Sequence, residues 1–347
     1  MTTPKLFITG ATGYIGGDFL YAIYDAQPTW HIAVLVRHNA GAENIARIFP
    51  RVRIVRGDLE SSTVLCNEVR DADIVLHFAN CDHEGSAQAL LKGLARHSSE
   101  RPGWYIHTSG TGILAFEDKR SQTCGILRGR VYNDWEGVSE LVNLPSDAFH
   151  RNVDSLVTQT YHTPEKTFKT AIVCPCCIYG TGRGPGNTSS TQVYTLATTV
   201  LKRGKGIRVG EGRNVWHQVH IQDLTKLYVL LVEAAASGGG NATWDEEGYY
   251  LAENGSFCWG DVEEAVSRVA FERGYIPTSQ IDTLDWSRTE SLDARGPYRW
   301  GSNSRGTAVR ARRLLGWVPN QLGLLETIDE IVDCQACVAG LLKSEQT

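Results

Sequence analysis

The chain opens on alternating blocks of apolar and polar residues. KLFITG is a short apolar run, and residues 14–26 carry helical periodicity. The rhythm then repeats. WHIAVLVR, AGAENIARIF, VRIVRGD, STVLCNEV, ADIVLHFA, SAQALLKGLARH and GWYIHTSG read in turn as strand, helix, strand, helix, strand, helix and strand. Ala89, Leu90, Leu94 and Ala95 supply the apolar positions of the last helix. The strands are apolar throughout rather than alternating. Such strands are buried on both faces, which predicts a parallel sheet with helices on either side.

After Gly110 the blocks lengthen and lose regularity. TGILAFEDKRSQTCGILRGRVYNDWEGV predicts a long, partly irregular segment, followed by a helix over 148–161 and a sixth strand, FKTAIVCP. YGTGRGPGN reads as a loop, of the kind that walls active sites at the carboxyl ends of sheet strands. Beyond it come a helix over 191–202, a strand VWHQVHI, a helix QDLTKLYVLLVEAAA, a strand GYYLA and a helix WGDVEEAVSRVAFERG. Two closing helices lie in SRGTAVRARRLLGW and LLETIDEIVDCQACVAGLL. The fold class expected from the pattern is α/β, with a doubly wound parallel sheet.

ITGATGYIGG, between the first strand and the first helix, has the spacing of a dinucleotide-binding turn. Gly10 permits the sharp turn, Gly13 lets the backbone approach a pyrophosphate, and Gly16 lets helix and sheet pack closely. Thr12, Gly13, Tyr14, Ile15 and Gly16 bring the helix N-terminus, with its free N–H groups, to the phosphates. The second strand ends in Val36, Arg37, His38 and Asn39, without the carboxylate that would bind the ribose hydroxyls of NAD. Arg37 suits a 2′-phosphate, so NADP(H) is expected over NAD(H). Asp58 is placed to accept from the adenine amino group, or else to cap the helix after it.

Composition narrows the field. A chain of 347 residues can bury one large core or two coupled ones. Its net charge of −5 and lack of a long basic block argue against direct nucleic-acid binding. No apolar run is long enough to predict a membrane span, and nothing at the N-terminus reads as a signal peptide, so a cytoplasmic location is expected. The nine cysteines are then expected as thiols. Cys174, Cys176 and Cys177 have C-x-C-C spacing and read as small buried fillers; no metal site is expected.

The segments ITGATGYIGG, VRGDL, HFAN, IHTSG, CPCCIYGTG, VHIQDLTKLYVLL and RARRLLGWVP, in that order over almost the whole chain, resemble the extended short-chain dehydrogenase/reductases. More narrowly they resemble the fungal NAD-dependent epimerase/dehydratase-like proteins. The resemblance implies a Rossmann-type doubly wound parallel sheet with a smaller C-terminal, mixed α/β substrate domain: residues 1–175, with about 212–236 returning to them, form the first, and 176–211 and 237–347 the second. The resemblance implies that Asp58 and Leu59 flank adenine, that Ala79 and Asn80 lie along the cofactor, and that Tyr179 begins a loop beside the nicotinamide. It also implies a catalytic Ser or Thr with a Y-x-x-x-K pair, and here the chain departs from the family. None of its 13 tyrosines has a lysine four residues on.

Two registers fill the gap. Tyr132 has Glu136 in the lysine place, and a carboxylate there would raise the phenol's pKa. Counting back from the sixth strand instead puts His150 and Asp154 in the Tyr and Lys places, four apart on one helix face, where an aspartate-oriented histidine can serve as acid or base. VYNDWEGV then becomes an insertion over the site. Ser109 or Thr111 is the candidate to hydrogen-bond a substrate carbonyl, with Gly110 at the aligned position. His217, His220, Arg183, Arg213, Asn187 and Trp216 are weaker candidates.

The function expected is an NADP(H)-binding reductase or dehydrogenase acting on a small, apolar carbonyl, enone or alcohol through an acid–base group other than Tyr/Lys. Trp135, Trp216, Tyr179 and Trp259 are the aromatic supply for an apolar pocket. The alternatives are a non-redox isomerase, dehydratase or cyclase on the same fold, and a dinucleotide-sensing binding protein resembling the NmrA-like regulators. A small-molecule substrate is the partner expected, and a homodimer is left open.

Overall fold

The computed structural model describes residues 3–341. Fourteen strands follow in chain order: β1 (Lys5–Thr9), β2 (His31–Val36), β3 (Arg53–Arg56), β4 (Ile74–His77), β5 (Gly103–Thr108), β6 (Tyr132–Asn133), β7 (Phe168–Pro175), β8 (Cys177–Tyr179), β9 (Gly206–Val209), β10 (Val215–His220), β11 (Tyr249–Ala252), β12 (Ser256–Cys258), β13 (Ile281–Leu284) and β14 (Gly306–Thr307). The helices are α1 (Tyr14–Ala26), α2 (Asn39–Ile48), α3 (Ser62–Asp71), α4 (Glu84–Leu94), α5 (Phe116–Ser121), α6 (Val138–Leu141), α7 (Arg151–Gln159), α8 (Gln192–Arg203), α9 (Ile221–Ala236), α10 (Trp259–Glu272), α11 (Trp286–Leu292), α12 (Gly296–Trp300), α13 (Arg310–Leu315) and α14 (Ile328–Val338).

Seven strands pair in parallel in the order β11-β7-β5-β4-β1-β2-β3. The apolar runs account for this. Every residue of β4, β5 and β11 is buried, and only a sheet covered on both faces hides such strands. The chain reverses its direction of growth at β1, between β4 and β2. The loops after β1, β2, β3, β4 and β5 therefore gather at one rim, where ligands bind in open α/β sheets.

The hydrophobic residues form two separate clusters. One runs through the seven-stranded sheet and its helices. The other joins α8, β9, α10 and α14 through Leu196, Val200, Ile207, Val262, Val266 and Ile331. The segment 237–347 does not belong wholly to the second cluster. Tyr249–Ala252 completes the large sheet beside β7, and Ala308, Ala311 and Trp317 pack into the first cluster. The run YYLA is apolar at every position, and the sheet hides it where a surface strand could not. Its outer edge is covered as well: the buried Asp134 carboxylate accepts from Leu251 N (2.9 Å), Val309 N (2.7 Å) and Arg310 N (2.9 Å). The segment around VYNDWEGV thus covers a sheet edge. No helix among the described residues is long and apolar enough to cross a membrane.

Candidate active site

At the rim a cleft of about 370 Å³ is lined by Gly10, Thr12, Arg37, Asp58, Leu59, Ala79 and Asn80, together with Leu35, Val36, His38, Gly41 and Gly57. Seven expected cofactor residues thus share one wall, supplied by four strand ends. Gly10 has φ +78°, and a Cβ there would stand 2.6 Å from the backbone of Phe78 and Ala79. A Cβ on Gly16 would stand 2.4 Å from Gly10 O. Helix α1 begins at Gly13 with no side-chain cap and no acidic residue in its first turn. Its leading N–H groups are left for an anion.

Arg37 and His38 are exposed at the end of β2. Arg56, on β3, joins them: its Nη2 donates to Arg37 O (3.3 Å) and to Asn39 Oδ1. Arg56 was missed in the sequence because it is a neighbour across the sheet, set by the β2–β3 register. Asp58 lines the cleft, yet its Oδ1 accepts from Ser61 Oγ (2.8 Å) and Glu60 N (3.1 Å), so it also pins the turn into α3.

Other expected cofactor residues brace the walls. Ile15 packs against the core. The Tyr14 hydroxyl donates to Gly180 O at 2.6 Å, and the buried Tyr179 hydroxyl donates to Leu322 O at 2.5 Å. Tyr14 thus holds the start of the loop 180–188, Tyr179 is tied to the segment at Leu322, and neither lines the cleft. That loop lies across the glycine turn. Asn187 N donates to Thr12 O (3.0 Å), and the buried Asp18 carboxylate accepts from Arg183 Nε (2.9 Å), Arg183 Nη2 (2.7 Å) and Thr225 Oγ1 (2.6 Å). Arg183 therefore faces α1. Arg213 pairs with the exposed Glu211, His220 caps α9 by accepting from Gln222 N, and His217 lies beside Ser304 and Gly306.

Beyond Asn80 the chain continues into Cys81 and Asp82, which meet His150. The ring Nδ1 lies 2.7 Å from Asp82 Oδ1 and 3.3 Å from Cys81 Sγ. Asn152 Nδ2 donates to Asp82 O (3.0 Å), so the start of α7 is tied to this turn twice. His150 holds a left-handed backbone, φ +62°, at the N-cap of α7. A side chain in that region is retained only where its surroundings over-determine it. Its Nε2 has no hydrogen-bond partner among the described residues and lies 3.2 Å from where a Gly110 Cβ would stand. The missing side chain at Gly110 gives the imidazole its room. Burial alone would drive the proton off this ring. The hydrogen bonds to Asp82 and Cys81 outweigh it and hold the His150 pKa up to about 10. The same contact keeps the Asp82 carboxyl below its usual range.

Asp154 does not orient His150. It points inward, fully buried, and accepts from Ser109 Oγ (3.0 Å) and Tyr249 Oη (3.2 Å), with His107 Nε2 3.5 Å from its other oxygen. The partner expected at four residues' spacing is replaced by Asp82, 68 residues away. Ser109 is likewise turned to Asp154 and not to the cleft. Thr111 is buried; its carbonyl accepts from Ser304 Oγ (2.6 Å), while its hydroxyl has no partner among the described residues. Tyr132 is a buried core residue on the two-residue β6, paired with Gly306, and Glu136 is exposed. A strand cannot set residues four apart on one helical face, so that register has no structural basis.

The aromatic residues also differ from expectation. Trp216, Trp259 and Tyr179 are buried in the second cluster, and Trp135 lies between Arg310 and Arg313. Beside His150 stands a different set. Phe149 meets Tyr298 edge-on at 4.9 Å, and Tyr298 meets Trp286 at 5.0 Å. Cys174, Cys176 and Cys177 are buried, as fillers would be.

The chain is similar over its full length to the oxidase ucsJ of an Acremonium species: 35% identity over 346 residues, 98% of this chain and 99% of that protein. An uncharacterised protein of Saccharomyces cerevisiae is 26% identical over 93% of this chain and 97% of its own length. Among solved structures, dTDP-glucose 4,6-dehydratase of Bacillus anthracis in complex with NAD superposes with a TM-score of 0.65 at 15% identity, over 95% of this chain and 96% of that one. The UDP-glucose 4-epimerase of Thermotoga maritima with UDP-glucose superposes with a TM-score of 0.64 at 15% identity, over 96% and 99%. At such identity the likeness bears on the fold. No protein-family model matches the chain.

Proposed function

Because the chain belongs to the extended short-chain dehydrogenase/reductases, we propose that it is an NADP(H)-dependent oxidoreductase of a small, apolar carbonyl, enone or alcohol, with His150 as its proton donor. The observation that carries the reading is the His150 imidazole: Nδ1 held by Asp82, Nε2 unpartnered above Gly110, at the end of the Ala79–Asn80 wall. The relative being an oxidase supports redox chemistry over isomerisation, dehydration or cyclisation.

The residues present fit a phosphorylated dinucleotide. The uncapped start of α1 suits the pyrophosphate, and Gly10 leaves the space a Cβ would fill. Arg37, His38 and Arg56 meet at the end of β2 with no carboxylate among Val36, Arg37, His38 and Asn39, which favours a 2′-phosphate over bare ribose hydroxyls. When bound, the dinucleotide supplies or takes the hydride. In the reducing direction His150 donates from Nε2 to the substrate oxygen; in the oxidising direction it takes that proton back. Asp82 fixes the ring and stabilises its charged form. Asp154, through Ser109 and Tyr249, positions the helix behind it. Phe149, Tyr298 and Trp286 form the apolar wall next to the acid.

Fluorescence titration with NADPH and NADH, followed by NADPH consumption on a panel of apolar aldehydes, ketones and enones, tests this. NADPH should bind more tightly than NADH, and some apolar carbonyl should turn over. His150→Gln should lower kcat/KM by roughly 10²–10⁴-fold with dinucleotide affinity unchanged. No uptake of either dinucleotide defeats the reading. Product without NADPH consumption moves the site to the non-redox alternative.

A further inference from the structure

The turn after β4 and the start of α7 bring three different metal-ligating atoms to one point. Cys81 Sγ, a carboxylate oxygen of Asp82 and a ring nitrogen of His150 all lie within 4.8 Å of one another. Two acceptors, one sulfur and one oxygen, converge on the single nitrogen Nδ1 at 3.3 Å and 2.7 Å. Sulfur, oxygen and nitrogen atoms this close together have the spacing of ligands around one small cation, which would replace the hydrogen now shared at Nδ1. We propose that Cys81, Asp82 and His150 form a three-ligand site for a thiophilic divalent cation of the Zn²⁺ class, its fourth position left to a molecule from outside the chain.

The chemistry of the donors selects the ion. Thiolate, imidazole and carboxylate together suit Zn²⁺, whereas Mg²⁺ and Ca²⁺ prefer oxygen alone. Three protein ligands also leave a coordination site for water or another molecule. The ligands are preorganised. Asn80 Oδ1 accepts from Asp82 N at 3.2 Å, Asn152 holds Asp82 O, and the left-handed backbone of His150 fixes its ring. All three residues are half-buried, so an ion can reach them. Cation binding does not depend on the redox reading. Its consequence for turnover does rest on that reading: a cation on Nδ1 takes the place of the ring proton that faces Asp82 and leaves the imidazole neutral, so Nε2 keeps its hydrogen but gives it up far less readily than an imidazolium does.

The probe is Co²⁺, titrated anaerobically into chelator-treated protein carrying Cys334→Ser and Cys337→Ser, which removes the two exposed cysteines of α14. The expected result is one equivalent bound, with thiolate-to-cobalt charge-transfer absorption and the strong visible bands of a four-coordinate ion. Cys81→Ser should abolish the charge-transfer band. Asp82→Asn and His150→Gln should each weaken binding by roughly tenfold or more, since loss of a direct ligand costs at least as much as loss of its outer partner. Zn²⁺ should displace the cobalt and slow NADPH-dependent turnover without changing the NADPH titration. Absence of the band, or its survival in Cys81→Ser, overturns the site. A cobalt site in a protein that binds no dinucleotide would leave this inference standing and defeat the proposed function. The reverse result would do the opposite.

Discussion

At the scale of single residues, the absence of a side chain at Gly110 matters as much as any group present. A Cβ there would stand 3.2 Å from His150 Nε2, close enough to displace the ring by tenths of an ångström. Gly110→Ala should therefore lower turnover by roughly tenfold through misplacement of the acid, with NADPH affinity unchanged; steady-state kinetics beside a fluorescence titration separates the two. Arg37 is the complementary case. Arg37→Glu should raise the Kd for NADPH by roughly ten- to a hundredfold and leave that for NADH nearly unchanged, because only the former loses a charge-assisted contact. Arg37 and Asp82 differ in how they could be read. Arg37 was legible because a strand end has a fixed meaning in this fold. Asp82 was not: its bond to His150 spans 68 residues, and no local spacing carries such information. Ser109 and Asp154 were legible as a neighbourhood but not as a pair turned inward.

Among the elements, the loop 180–188 is joined both to the glycine turn and to α1. Asp18, just past the glycine turn, bonds Arg183 in that loop and Thr225 on α9. Burial opposes its charge, and the hydrogen bonds from Arg183 and Thr225 outweigh burial and lower its pKa. A depressed carboxyl contributes stability above its unfolded value of about 3.9, and that contribution disappears as pH falls through the folded value. Asp18→Asn should thus cost about 1–3 kcal/mol near neutrality and flatten the decline of Tm below about pH 4, as thermal melts across pH will report. Periodicity located most of the long elements: α8, read as 191–202, spans Gln192–Arg203, and α9 and α10 lie where their apolar faces put them. The short strands β9, β12 and β13 escaped because three or four residues contain no period to detect. SRGTAVRARRLLGW yields only the six-residue α13, since the preceding residues turn outward into β14 and its pairing with β6.

The whole molecule rests on two cores, and the second holds an unusual guest. Glu263, on α10, is fully buried; Oε1 accepts from Val209 N at 3.2 Å, while Oε2 has no partner among the described residues. Burial pushes its carboxyl well above the usual range. A raised carboxyl favours the folded state below its unfolded pKa of about 4.3, and stability falls as pH rises from there toward the folded value. Glu263→Gln keeps the acceptor and removes the charge. It should raise stability at neutral pH by about 1–2 kcal/mol and abolish that fall, measurable by denaturant unfolding at several pH values. The first core carries a different consequence, one of timing. Asp154 leans on Tyr249, 95 residues further along the chain. During synthesis the helix behind His150 leaves the ribosome well before the strand whose Tyr249 bonds it. An interrupted chain ending short of Tyr249 would own every residue that lines the cleft and still lack the bond that braces α7, so that bracing arrives late, with the strand at the end of the sheet.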